Sequence, residues 1–226
     1  MKTILRLFIF LAISVCFNLH AVPFNHINIS DGLSNADIRC IIKDADGFMW
    51  FGTHNGLNRY DGYDIKVYMH DPRDSTSISG KTISCLFKDS RKNLWVGTWG
   101  DGLNLYRPET DDFANFTFDK VINGTLSHNW IMCMFEDSKG RLWVGTQNGL
   151  NLYDYEDNTF SSYFTNFFQT NNPSLLKRNS ITDIAEDDFG NLWITTWSGL
   201  IMFNPENNLR LYYNQKKKKK NGFKTD

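Results

Sequence analysis

The chain of 226 residues has a formal net charge of −1, yet residues 22–214 alone carry 16 basic and 24 acidic side chains, because the basic excess sits at the two ends. A body at −8 argues against nucleic acid and strongly polyanionic ligands as partners, since their charge would be repelled along the whole contact. A hydrophobic fraction of 41% with 15% aromatic residues is enough to fill a core, and Gly-rich turns with few prolines suit antiparallel sheet.

Residues 1–21 read as a targeting segment. Lys2 and Arg6 precede an apolar run from Leu7 to Phe17 and a small-residue cleavage site at Leu19-His20-Ala21, the order of a secretory signal peptide. The run is too short to span a bilayer, so the expectation is export to the periplasm, and Cys16 leaves with the signal. Residues 22–37 follow as a lone strand and the loop leading into the first repeat. Phe24 to Leu33 looks like a terminal strand lent to the last blade of a ring, a device that leaves no free edge.

Four repeats come next. Their tryptophans are Trp50, Trp95, Trp143 and Trp193, at intervals of 45, 48 and 50 residues, which is the length of a propeller blade. Six residues before each Trp stands an acid, Asp44, Asp89, Asp137 or Asp187, expected to form the turn by accepting backbone amides. Asp46-Gly47, Lys139-Gly140 and Phe189-Gly190 fill that turn, and in Lys92-Asn93 the next most tolerant residue type substitutes. Upstream lie first strands at Ile38 to Lys43, Ile83 to Lys88, Ile131 to Glu136 and Ile181 to Glu186. Second strands begin at the tryptophans, third strands end at Tyr60, Tyr106, Tyr153 and Phe203, and weaker fourth strands follow.

The fold expected is all-β: a β-propeller of four consecutive four-stranded antiparallel blades in an incomplete ring. The blades are assigned to residues 38–77, 78–125, 126–175 and 176–214. Residues 215–226, with Lys216 to Lys220, read as an aberrant Lys-rich tail of the kind left by slippage on a run of adenines, and so as a truncation. Cys40, Cys85 and Cys133 recur at one position of three blades and Asp183 takes it in the fourth. One cysteine per module is no disulfide framework. The expectation is small apolar side chains packed between blades, with no metal and no cofactor.

On these residues the chain resembles the two-component regulator propeller family, whose repeat is an apolar strand, Asp, a Gly turn, Leu-Trp-hydrophobic-Gly-Thr and Gly-Leu. The match is best from Asp137 to Asp154. Departures are Thr195 for Gly, Asp101 as an insertion, and Ile201-Met202 in place of Asn. The resemblance implies the amino-terminal ligand-sensing part of a hybrid two-component sensor histidine kinase, tuned to an oligosaccharide. It also implies downstream partners absent from this chain: further blades, an immunoglobulin-like domain, a membrane helix and the kinase.

Two other functions compete. The turn also resembles the Asp-box of sialidases, but there it is structural, the preceding Ser is missing, and one acid per blade is not a converging carboxylate pair. An exported interaction scaffold is the second alternative. Positions that change from blade to blade are the ones free to specify a ligand. They lie between second and third strands: His54, Asn55, Trp99, Asp101, Gln147, Asn148, Trp197 and Ser198. Aromatic rings beside amides and a carboxylate suit sugars, whereas Trp130 is assigned to packing between blades.

Overall fold

A computed structural model describes residues 26–165 and 179–213. The expected signal peptide, residues 22–25 of the lead-in segment and the Lys-rich tail lie outside the described residues. Of the lead-in segment, residues 26–37 contain no strand. Ile29–Asp31 instead form a single 3-10 turn, closed by Asn28 and Asp31 in reciprocal caps.

Four separate antiparallel sheets follow, each with its strands in sequence order. They are β1 Ile38–Lys43, β2 Met49–Thr53, β3 Gly56–Tyr60 and β4 Ile65–Tyr68; β5 Ile83–Lys88, β6 Leu94–Thr98, β7 Leu103–Arg107 and β8 Asp112–Phe116; β9 Ile131–Glu136, β10 Leu142–Thr146, β11 Gly149–Asp154 and β12 Thr159–Tyr163; β13 Ile181–Glu186, β14 Leu192–Thr196, β15 Gly199–Asn204 and β16 Leu209–Tyr213. No sheet closes on itself, and among the described residues there is no α-helix. The first strands β1, β5, β9 and β13 lie side by side along the inner edge, so the sheets are blades of an arc.

Each acid of the repeat makes the turn as expected, and it also takes the tryptophan. Asp44 accepts the backbone N–H groups of Asp46, Gly47 and Phe48 on one oxygen and the Trp50 indole N–H at 2.6 Å on the other. Asp89, Asp137 and Asp187 take Trp95, Trp143 and Trp193 at 2.8 Å. A buried indole needs an acceptor for its N–H, which explains the constant six-residue spacing. In blade 2 the residue with positive φ is Lys92 (71°), not Asn93, because the chain register puts Lys92 where Gly47 and Gly140 stand.

The core lies between blades rather than within them. One cluster joins Trp50 and Leu57 of blade 1 to Ile83, Val96 and Tyr106 of blade 2; a second joins Trp95 to Ile131 and Tyr153; a third joins Trp143 to Ile181, Ile194 and Phe203. The second-strand glycines make this close approach possible. A Cβ on Gly97 would sit 2.7 Å from Cys85 Sγ and 2.8 Å from Ile131 Cγ2, and Gly52 and Gly145 are confined in the same way by Cys40 and Ile83, and by Cys133 and Ile181.

Register pairs these glycines with the cysteines: Cys40 with Gly52, Cys85 with Gly97, Cys133 with Gly145. All three thiols are free, and burial pushes Cys40 up to about 12 and Cys85 to about 11. They are small packing groups held protonated. In blade 4 the same cross-strand pair is Asp183 with Thr195. Two departures that look independent in the sequence are therefore one change on one face.

Candidate ligand-binding face

The turn between second and third strands is built by the threonine of each Gly-Thr pair. Thr53 Oγ1 donates to the Gly56 carbonyl at 2.8 Å and accepts the Asn55 N–H at 3.1 Å. Thr98, Thr146 and Thr196 do the same for Gly102 with Asp101, Gly149 with Asn148, and Gly199 with Ser198. The hydroxyl replaces a backbone partner, so the turn holds whatever side chains it carries. This is why these positions can vary.

The third-strand asparagines, to which sequence reasoning assigned no role, hold the loop before the first strands of blades 1 to 3. Asn58, fully buried, donates to the Phe51 carbonyl and accepts the Ser34 N–H at 2.8 Å. Asn104 with Ser79 and Asn151 with Ser127 repeat this. The signal was present: Leu33-Ser34, Ile78-Ser79 and Leu126-Ser127 stand at one distance before the first strands. Both ends of the inner strand are thus tied down, and the loops beside the turns form one surface.

On that surface the eight candidates are not equivalent. His54 Nδ1 lies 3.3 Å from Thr82 Oγ1, across the boundary between blades 1 and 2. Gln147 is anchored through its backbone to the Trp130 carbonyl. Asn148 accepts from Asn179 at 3.1 Å and lines a polar groove of about 330 Å³ beside residues 118–127. Trp99 and Trp197 are both largely exposed, at 40% and 58%. The groove contains neither of them.

The aromatic site differs from the one expected. Trp130 is 37% exposed, not enclosed between blades. It pairs with Trp99 through an isolated antiparallel bridge, and the rings meet edge to face at 5.9 Å with an angle of 83°. Blade 2 carries one residue more than the other turns, and Gly100 and Gly102 both adopt positive φ. Any Cβ on Gly100 would come within 3.0 Å of Trp130 Nε1. Trp130 therefore lies over the turn backbone, and Trp99 stands against it. His128 flanks Trp130 edge to face and accepts its backbone N–H at 3.0 Å; burial pushes the imidazole pKa down. The Arg39 guanidinium lies 4.7 Å from the centre of the Trp99 ring. Residues from three blades converge here.

Among the described residues no group of three or more His, Cys, Asp or Glu could hold a metal ion.

Residues 32–55, 77–100, 125–148 and 175–198 each match the two-component regulator propeller repeat. The chain carries four two-component regulator propeller repeats. These repeats resemble two solved extracellular domains from B. thetaiotaomicron, both described as belonging to hybrid two component systems. The BT3049 domain is 24% identical with a TM-score of 0.62, over 82% of this chain and 31% of that one. The BT4673 domain is 26% identical with a TM-score of 0.61, over 84% of this chain and 27% of that one. Histidine kinase P4 of Formosa agariphila is 44% identical over 73 residues, 32% of this chain and 5% of that protein. The regulator propeller thus spans less than a third of each of these relatives.

Proposed function

We propose that this regulator propeller is the ligand-reading part of an exported, periplasmic sensor in a hybrid two-component system, and that its ligand is an oligosaccharide. It binds and transmits, and chemistry belongs to a kinase elsewhere in the parent protein. The likeness to extracellular regions of hybrid systems supports the sensor role. The observation that carries the ligand class is the exposed right-angled pair Trp99 and Trp130. Two rings at a right angle offer a wall and a floor to the C–H faces of a sugar, and the polar side chains of neighbouring turns supply partners for hydroxyls.

The test is calorimetry of the sensor region against a panel of plant and animal glycan tetrasaccharides. Trp99→Ala should weaken the best binder by about 1 kcal/mol or more, near fivefold, by the scale of aromatic packing. Trp197→Ala reports whether the surface extends to blade 4. Unchanged affinity in both variants would remove this face as the site.

A further inference from the structure

Resting on the oligosaccharide reading, we infer that the Trp99 site selects an acidic sugar, with Arg39 receiving the carboxylate of a uronic acid unit. Arg39 is an exposed residue of β1, the innermost strand of blade 1, and its guanidinium is laid on the Trp99 ring of blade 2 at 4.7 Å. Among the described residues four other guanidiniums are spent on carboxylates, Arg59 on Asp111, Arg73 on Asp71, Arg107 on Asp112, and Arg141 on Asp137 and Glu206, while Arg210 is held by Asn208 and Arg91 lies over Tyr155 on the Asp-turn side. Among the described residues Arg39 has no carboxylate partner and no hydrogen bond. Stacking on an indole fixes the plane of the fork while leaving its N–H groups along the rim. A planar fork held this way matches a carboxylate in two parallel hydrogen bonds.

The carboxylate of the same turn, Asp101, lies against Gly80. The indole N–H groups of Trp99 and Trp130 have no acceptor among the described residues, so the site offers donors beside the exposed part of the two rings. A sugar ring carrying a carboxylate uses all of these at once. A strongly polyanionic ligand is disfavoured by the acidic body, which narrows the ligand to a short oligosaccharide with a localised charge.

The experiment compares matched probes on the intact chain: uronate-bearing tetrasaccharides, and the same molecules with each carboxylate reduced to a primary alcohol. Indole fluorescence and calorimetry supply the readouts, with thermal melting as a check that each variant is folded. The uronate form should bind at least about tenfold more tightly than its reduced partner, the scale of a charge-assisted pair. Arg39→Ala should abolish that preference, Arg39→Lys should keep part of it, and raised salt should erode it. Equal binding of the two forms, or a preference that survives Arg39→Ala, overturns the acidic-sugar assignment and leaves the oligosaccharide reading standing. Failure of every saccharide, charged or reduced, to bind overturns both.

Discussion

The two ends of the blades use the same strands in opposite ways. At the Asp-turn end nearly every polar group is committed. Asp89 takes the indole of Trp95, two donors of Asn93, and the Tyr155 hydroxyl from the next blade. Glu136 accepts both Ser90 N–H and Oγ across one boundary, and Glu186 accepts the same pair from Ser138 across the next. At the other end the threonine hydroxyls satisfy the turns from inside, and Arg39, Trp99 and Trp130 keep donors in hand. A repeat protein that must hold its blades together and still read a ligand can separate the two tasks by end.

Trp95→Ala should give the largest effect. It removes a fully buried ring and strands the Asp89 carboxylate, at a cost of about 3–5 kcal/mol in a urea melt, or loss of folding. A change of less than 1 kcal/mol would mean that the Asp-turn end is not the structural one.

Gly97→Val tests the contact between blades 2 and 3, where the added Cβ meets Cys85 and Ile131 at under 3 Å. The expected cost is about 1–3 kcal/mol. The same residue type introduced at Thr195 should be tolerated, since blade 4 already carries a β-branched side chain there.

The boundary between blades 1 and 2 lacks the Ser–Glu pair, with Ala45 and Lys88 in those places, and is closed by Asp111. This carboxylate, at φ 57°, accepts the Tyr68 and Tyr106 hydroxyls at 2.6 and 2.7 Å and pairs with Lys66 and Arg59. Burial works to raise its pKa, and the bonds from Lys66, Tyr68 and Tyr106 outweigh that and bring it down to about 2. A folded pKa below the unfolded one means stability present above the ordinary carboxylate pKa and lost as pH falls through about 2. Asp111→Asn, which installs the residue that Asn158 and Asn208 supply in blades 3 and 4 at the same φ, should cost under about 1 kcal/mol near neutrality, as for other partly exposed pairs. The difference from wild type in urea midpoint should shrink between pH 4 and pH 2, within the window set by the ordinary and shifted carboxylate values. A gap that stays constant across that range would assign the closure to packing instead.

The smallest stability effect belongs to Trp99→Ala. Despite the size of the ring, the site is exposed and the turn is held by Thr98, so the melt should move by no more than about 0.5 kcal/mol. A loss comparable with that of Trp95→Ala would erase the distinction between the ends.

The sequence by itself determined the period, the sixteen strands of the described residues and the turn acids, because those follow from local rules: alternation along a strand, tight-turn chemistry, and one acceptor for one indole at a constant spacing. The site was legible only in part. Trp99 and Trp197 stood out as large rings in turns, and both are exposed. Trp130 read as a core residue, since one position before a first strand resembles any other apolar lead-in. Only the bridge to Trp99 and the flat approach over Gly100 bring it to the surface. The pairing of Cys with Gly likewise needs antiparallel register, and its purpose needs the isoleucine of the next blade. Arg39 gave no signal at all, for an arginine on a strand is an ordinary exposed residue until a neighbouring blade lays a tryptophan beneath it. Contacts between blades join residues some 30 to 60 positions apart, and no periodicity read along the chain carries that information; the rotation of one sheet against the next supplies it.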